Sequence, residues 1–177
     1  MEKELMIASD LTARLLAQEN ISVVRANAKT ASFDVITRVL TIPLWKDMTP
    51  EIEDMMQCHE VGHALFTDGE SWINSINSFD KTKQRVVHGY MNVVEDARIE
   101  KLMKRRFPGC RKSFYTAYRQ LLERDFFKIK NKDVNTLMFI DRINLYFKGG
   151  VTLGVKFTDE EKAFVISLIN LPRGSNE

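Results

Sequence analysis

Two histidines and a glutamate stand at a spacing that can hold a metal ion and use it. Residues 59–63 read His-Glu-Val-Gly-His, so His59 and His63 lie four residues apart and Glu60 follows the first of them. On a helix, side chains four residues apart project from one face and can bind the same ion, while the glutamate can act as a general base. The sequence therefore predicts a zinc site, with Glu60 accepting a proton from water.

The segment that carries these residues has the start signals of a helix. Thr49 is a favourable N-cap, Pro50 suits the first helical position, and Glu51 adds an acid to the first turn. We predict a helix from there to about Thr67, stopped by Gly69. On a helical wheel the histidines share an arc with the apolar residues Ile52, Met55, Met56 and Phe66. The imidazoles therefore point inward, where a bound metal ion would offset the cost of their burial.

A third ligand must come from elsewhere, because two histidines leave a tetrahedral zinc one protein ligand short when the last position is kept for water. The helix predicted from Lys83 to Arg106 carries Glu95, Asp96 and Glu100. A wheel centred on Val94 puts Glu95 on the buried side and the other two acids toward solvent. We therefore predict Glu95 as the third ligand, with Asp96 as its substitute.

Other polar residues of this helix are candidates for supporting roles. Arg98 falls on the buried side, so we expect it to hydrogen-bond a carboxylate or a backbone carbonyl near the site. Asn92 and His88 lie at nearby angles and could orient ligands or touch a substrate oxygen, although for His88 an ordinary hydrogen-bonded role is favoured. As donors that could stabilise an oxyanion, His88, Tyr90 and Tyr115 are eligible by residue type, and the choice stays open.

The segments HEVGHALFTDG and NVVEDARIE resemble the gluzincin branch of the zincin metallopeptidases. By this resemblance His59, His63 and Glu95 correspond to the zinc ligands and Glu60 to the general base of peptide hydrolysis. The pairing is also similar to metallopeptidase domains that precede von Willebrand A modules in bacterial and bacteriophage proteins, including relatives of a cobaltochelatase subunit. The resemblance implies a Zn²⁺ cofactor and a peptide or protein substrate.

The resemblance also implies a fold and leaves one supporting group open. In gluzincins a helix and a small mixed sheet precede the metal helix, and an edge strand lies above the cleft. An extended peptide would then pair with the exposed edge of the strand from Phe33 to Leu44. The acid that usually follows the ligand glutamate by four residues is replaced by Ile99. The group that supports the histidines is therefore Asp96 or Glu100.

The whole chain is predicted to be a mostly helical α+β domain of the zincin type. An N-terminal helix and a small edge sheet pack on the metal helix, and a helical C-terminal half follows. Pro43 cannot donate a ladder hydrogen bond, so the strand that contains it is expected at a sheet edge, at least at its C-terminal end. We assign residues 1–171 to one domain and residues 172–177 to a flexible tail or the start of a linker.

Composition and charge limit the classes of binding partner that we expect. The chain has 177 residues, a net charge of +2 and 44% hydrophobic residues, which is typical of a globular protein and gives no general attraction to nucleic acid or membranes. No signal peptide or membrane span is predicted, and the expected location is the cytoplasm. A basic cluster from Lys101 to Lys112 is interpreted as a solvated helix end, so nucleic-acid binding is not favoured. Separately, we expect that a further domain could follow the C-terminus.

A different class of function also fits the motif. In it, zinc staples two helices of a protein-binding module that has little or no catalytic activity. A structural site of this kind usually has four protein ligands, and Cys58 and His88 are the residues that could supply the fourth. Otherwise the two cysteines, Cys58 and Cys110, are given no catalytic role.

Overall fold

The computed structural model describes residues 2–170, with side chains from Ser9 onward except that of Leu11. The predicted first helix is present as α1 (Glu2–Ala17). It ends at Ala17 because Gln18 adopts a left-handed φ of 58°, a conformation that cannot continue a helix. The predicted tail, residues 172–177, lies outside the described residues.

A three-stranded mixed sheet follows α1. Its strands are β1 (Ser22–Ala26), β2 (Ser32–Asp34) and β3 (Val39–Pro43). Their order is β1-β3-β2, with β1 parallel and β2 antiparallel to β3. The turn between β2 and β3 forms because Asp34 Oδ1 accepts hydrogen bonds of 2.9 Å from the backbone N–H groups of Ile36 and Thr37. The β-rich run from residue 33 to residue 45 is therefore a hairpin.

The strand that ends at Pro43 is central in the sheet, and its predicted place at an edge is wrong over most of its length. From Val39 to Thr41, β3 pairs with β1 on one side and β2 on the other. Only its C-terminal end has a free side, since Ile42 and Pro43 pair with β1 alone. A proline without an N–H is tolerated there because β2 is too short to reach it. The outer strands are β1 and β2.

The helix that carries His59, Glu60 and His63 forms as predicted and lies at the centre of the molecule. It is α2 (Pro50–Phe66), and Thr49 Oγ1 caps it by accepting from Ile52 N at 3.3 Å. α2 packs against α1, β2 and β3 as well as two later helices, so its middle turns are buried on nearly every side. Gly69 does not itself stop α2. The helix ends at Phe66 with Thr67 as its C-cap, and Gly69 begins the next helix, which Asp68 caps.

Most of the rest of the described chain is helical, which confirms the mostly helical α+β class. The helices are α3 (Gly69–Asn77), α4 (Lys81–Arg106), α5 (Cys110–Glu123), α6 (Phe139–Gly149) and α7 (Asp159–Ile169), with 3₁₀ turns at Val134–Thr136 and Gly150–Leu153. The second metal-site helix predicted from sequence corresponds to α4. In the described part of the chain, no helix is both long and apolar enough to cross a membrane.

Two apolar cores are joined by α4. The larger core contains α1, the sheet, α2 and α5, and there the Sγ atoms of Cys58 and Cys110 approach to 2.7 Å as free thiols. The smaller core holds Ile143, Val165 and Leu168 of α6 and α7. α4 contributes Met103 to the larger core, while its Val93 and Val94 pack on the smaller one. This long helix therefore fixes α6 relative to α2.

The close contact of α2 with α4 depends on Gly62. A Cβ atom at this position would lie 2.9 Å from Ile99 Cδ1 and 3.0 Å from Met103 Cγ, which is closer than carbon atoms normally approach. Glycine therefore leaves the room that α4 needs to approach α2 closely. The approach brings the face of α4 that carries Asp96 and Glu100 against the two histidines.

Candidate metal centre

Three ligand atoms converge where α2 and α4 meet. Asp96 Oδ1 lies 3.4 Å from His59 Nε2 and 3.3 Å from His63 Nε2. One ligand atom from each residue lies within 4.8 Å of the others, and the group could hold a metal ion. Two imidazole nitrogens and one carboxylate oxygen form a donor set that suits zinc and leaves a position for water. The residues present therefore fit the predicted ion.

The third member of this group is Asp96, the substitute, and not Glu95. The wheel that turned Asp96 and Glu100 toward solvent was wrong, since these residues are only 5% and 3% exposed. The buried face of α4 consists of Asp96, Ile99, Glu100 and Met103. The wheel failed because it gave weight to apolar residues such as Tyr90, which is 48% exposed, and Val94, which packs on the smaller core. They do not mark the face that α2 covers.

Glu95 does not contact the converging atoms directly, because Thr67 lies between it and His63. His63 Nδ1 is 3.1 Å from Thr67 Oγ1, and this hydroxyl donates to Glu95 Oε1 at 2.5 Å. Arg98 donates to both oxygens of Glu95 at 2.7 Å and to the Phe66 carbonyl at 2.5 Å. The hydrogen bonds predicted for Arg98 are therefore present, to a carboxylate and to a backbone carbonyl together.

These contacts fix the direction of the hydrogen bonds to His63. Burial alone would raise the pKa of Glu95, but the hydrogen bonds from Arg98 and Thr67 lower it, so the carboxylate is ionised and only accepts. Thr67 must then give its hydroxyl proton to Glu95 and accept from His63 Nδ1–H. With Nδ1 paired to Thr67, Nε2 is the ring nitrogen that faces Asp96 and could bind a metal ion.

Glu100 has the corresponding role for His59, but it contacts the ring directly. His59 Nδ1 lies 3.1 Å from Glu100 Oε1, the Tyr118 hydroxyl donates to the same oxygen, and Lys104 Nζ donates to Oε2 at 2.8 Å. Burial alone would raise the pKa of Glu100, but the hydrogen bond to His59 and the charge of Lys104 lower it to about 2. Of the two candidates for supporting acid, Glu100 occupies that position and Asp96 does not.

The electrostatics of the site favour a cation between the imidazoles and Asp96. Burial alone would lower the pKa of His59, but the charge and hydrogen bond of Asp96, with that of Glu100, raise it to about 10. The pKa of Asp96 is lowered, because His59, His63 and Lys148 outweigh the effect of burial. A proton on His59 Nε2 therefore supplies the positive charge that a metal ion would otherwise supply.

Lys148, Tyr118 and Thr67 belong to the site, although sequence reasoning missed all three. Lys148 comes from α6 and donates to Asp96 Oδ2 at 2.9 Å. Lys148 and Tyr118 reach the site from distant segments, so no local pattern connects them with the histidines. For Thr67 a signal existed, since it follows His63 by four residues and so lies one turn further along the same helix face.

Glu60 lines a cleft of about 510 Å³ that opens above the converging atoms. Its side chain is buried, and this burial raises the pKa of Glu60 against the opposing effect of His59 and His63. The walls of the cleft come from β2, α3, α4 and α6 and include Ser32, Phe33, Trp72, His88, Asn92, Asn144 and Lys148. A buried carboxylate with a raised pKa is suited to exchanging a proton near neutral pH.

The remaining polar candidates divide between this cleft and other places. His88 lines the cleft with its ring edge-on to Trp72, at 5.8 Å between centroids, and Asn92 Nδ2 lies 3.5 Å from Asp96 Oδ1. Tyr90 lines a separate apolar cavity. Tyr115 is 71% exposed and does not line the cleft. Of the three donors eligible by type, His88 alone faces the cleft.

Comparison with known protein families, curated proteins and solved structures finds no match to this chain. The gluzincin resemblance therefore rests on the motif residues alone, and the converging group departs from it by containing Asp96 in place of Glu95.

Proposed function

We propose that this protein is a zinc-dependent peptidase. The observation that supports the proposal is the convergence of His59 Nε2, His63 Nε2 and Asp96 Oδ1 beside a cleft that Glu60 lines. Asp96 replaces Glu95 as the proposed third ligand. Bound Zn²⁺ would polarise the scissile carbonyl and make water more acidic.

The protein side chains have separate roles in this reaction. His59, His63 and Asp96 hold the ion, while Glu100 and the Thr67–Glu95 pair orient the two rings. Glu60 accepts a proton from the attacking water and passes it to the leaving amine, so that the peptide bond breaks without a covalent enzyme intermediate. His88 is the proposed donor to the developing oxyanion, because it lines the same cleft.

The substrate is proposed to be an extended peptide lying along β2. The single strand predicted for this role, from Phe33 to Leu44, is a hairpin of β2 and β3, and β3 is covered on both sides from Val39 to Thr41. β2 has a free edge, and its Ser32 and Phe33 line the cleft. Backbone pairing with such an edge binds peptides with little demand on their sequence.

An open site is favoured over a zinc-stapled binding module. The two residues considered for a fourth ligand are not in position for it, since Cys58 Sγ contacts Cys110 in the core and His88 packs on Trp72. The cleft also leaves space next to the three proposed ligands. Residues of the basic cluster make contacts within the chain, such as Lys104 with Glu100 and Arg111 with the Lys104 carbonyl, so we propose no nucleic-acid partner.

The Glu60→Gln variant tests the proposal. Glutamine fills the same space but cannot accept the proton, so we expect unchanged zinc content and a loss of peptide hydrolysis by roughly two to four orders of magnitude. A broad peptide library and elemental analysis would measure the two properties. Glu51→Gln, in the first turn of the same helix and outside the cleft, should keep full activity. If wild type and Glu60→Gln both bind zinc but are inert on every peptide, the binding module becomes the better assignment.

A further inference from the structure

Lys148 is a buried cation to which the proposed reaction gives no role. Its Nζ donates to Asp96 Oδ2 at 2.9 Å, and the two side chains are only 16% and 8% exposed. The ammonium also lies 5.8 Å from the centre of the Tyr118 ring. A buried ammonium is destabilising unless it is paired. Its position against a proposed metal ligand therefore needs a physical reason.

The two oxygens of Asp96 have different partners. Oδ1 faces both imidazoles and the Asn92 amide, whereas Oδ2 faces Lys148. A carboxylate whose second oxygen is held by an ammonium has one oxygen left to offer a metal ion. The ammonium and the ion would also bind the two oxygens of one carboxylate. Two cations held so close together repel each other strongly in a site that is shielded from solvent.

We propose that Lys148 is a positioning residue that keeps Asp96 a one-oxygen ligand and limits the affinity of the site for a divalent metal ion. The consequence for the proposed peptidase, on which this part rests, is that one coordination position stays free for water. Without Lys148, Asp96 can offer both oxygens, and the repulsion is lost. Removing Lys148 should therefore strengthen metal binding, which is opposite to the usual result of removing a neighbour of a ligand.

The zinc dissociation constant of the full chain tests this inference, measured by competition with a chromophoric chelator. Lys148→Met removes the charge and the donor while keeping a long apolar side chain, and we expect its dissociation constant to fall at least roughly tenfold. Lys148→Gln keeps an N–H donor without the charge and should give a smaller fall. Lys148→Arg should stay near wild type. Lys104→Met is the matched control, because it removes an ammonium from Glu100, which faces His59 Nδ1, and should change the constant clearly less.

Cobalt substitution gives a second measurement. Lys148→Met should show weaker visible absorption than wild type, as expected when a carboxylate supplies a second oxygen and the coordination number rises. Thermal unfolding of the zinc-loaded variants checks that they fold. If Lys148→Met does not fold, Lys148→Gln decides the question by the same criterion.

An unchanged or larger dissociation constant in the folded variant would overturn the inference. The first result would mean that the ion does not sense the ammonium, and the second that Asp96 needs Lys148 to be oriented at all. These measurements need no substrate. A failure of the peptidase proposal, recorded as inert wild-type protein, would therefore be distinguishable from a failure of this one.

Discussion

Replacement of Thr67 by valine tests the hydrogen bonds that run from His63 to Glu95. Valine has nearly the shape of threonine but no hydroxyl, so the contacts of 3.1 Å to His63 Nδ1 and 2.5 Å to Glu95 Oε1 are both lost. Position 67 is 8% exposed, and a buried donor left without an acceptor costs about 1–3 kcal/mol. Loss of such a partner behind a metal-binding histidine typically weakens metal affinity about 10- to 100-fold. We expect a loss in this range for Thr67→Val.

Chelator competition measures the affinity, and thermal unfolding of the metal-free protein measures the effect on stability. Thr67→Ser is the matched control, because it keeps the hydroxyl and loses only a methyl group, and it should bind zinc nearly as well as wild type. Glu95 keeps its two hydrogen bonds from Arg98 in both variants, so the end of α2 should remain in place. Zinc affinity in Thr67→Val within about twofold of Thr67→Ser would refute the idea that this hydroxyl orients His63.

Three further predictions concern the ligands and their supports. Asp96→Ala should weaken zinc binding more than Glu95→Ala, because Asp96 Oδ1 faces both imidazoles while Glu95 acts through Thr67; the reverse order in chelator competition would restore Glu95 as the ligand. The raised pKa of His59, about 10 against an ordinary 6.5, gives a stabilising contribution that is complete below the lower value and lost as pH rises through the upper one. The melting temperature of metal-free protein should therefore fall from pH 7 to pH 10, and His59→Gln should lessen this slope. Tyr118→Phe removes one hydrogen bond to Glu100 and should cost about 1 kcal/mol in urea unfolding, with less effect on zinc affinity than Thr67→Val because Glu100 still contacts His59 directly.

The parts of this fold that sequence predicts well are those set by local signals. Thr49 and Pro50 start α2 whatever the rest of the chain does, and a spacing of four places both histidines on one face of any helix. The sheet order was different, because it depends on which strands meet. Pro43 suggested an edge, yet β3 is the central strand. Proline is tolerated in it because β2 is short and leaves Pro43 without a partner on that side.

The charged surroundings of the site could not be predicted, because they come from segments far apart in the chain. Tyr118 donates to Glu100 from α5, and Lys148 donates to Asp96 from α6. Each is a common residue on an amphipathic helix, and its role arises only when α4 brings the two cores together. The sequence contains many lysines that would look the same, and tertiary packing decides which one is buried.

The choice between Glu95 and Asp96 is different, since the sequence holds enough information to settle it. A histidine ligand needs a partner for its second nitrogen, and an acid one turn beyond the third ligand is well placed to be that partner. Four residues after Glu95 stands Ile99, whereas four residues after Asp96 stands Glu100. Gly62 imposes a second condition, because the gap it leaves must be filled by an apolar side chain, and Ile99 fills it. One helix face can carry Asp96, Ile99 and Glu100 together. If the buried face were rotated by one residue toward Glu95, Glu100 would no longer contact His59, and Ile99 would no longer pack against Gly62.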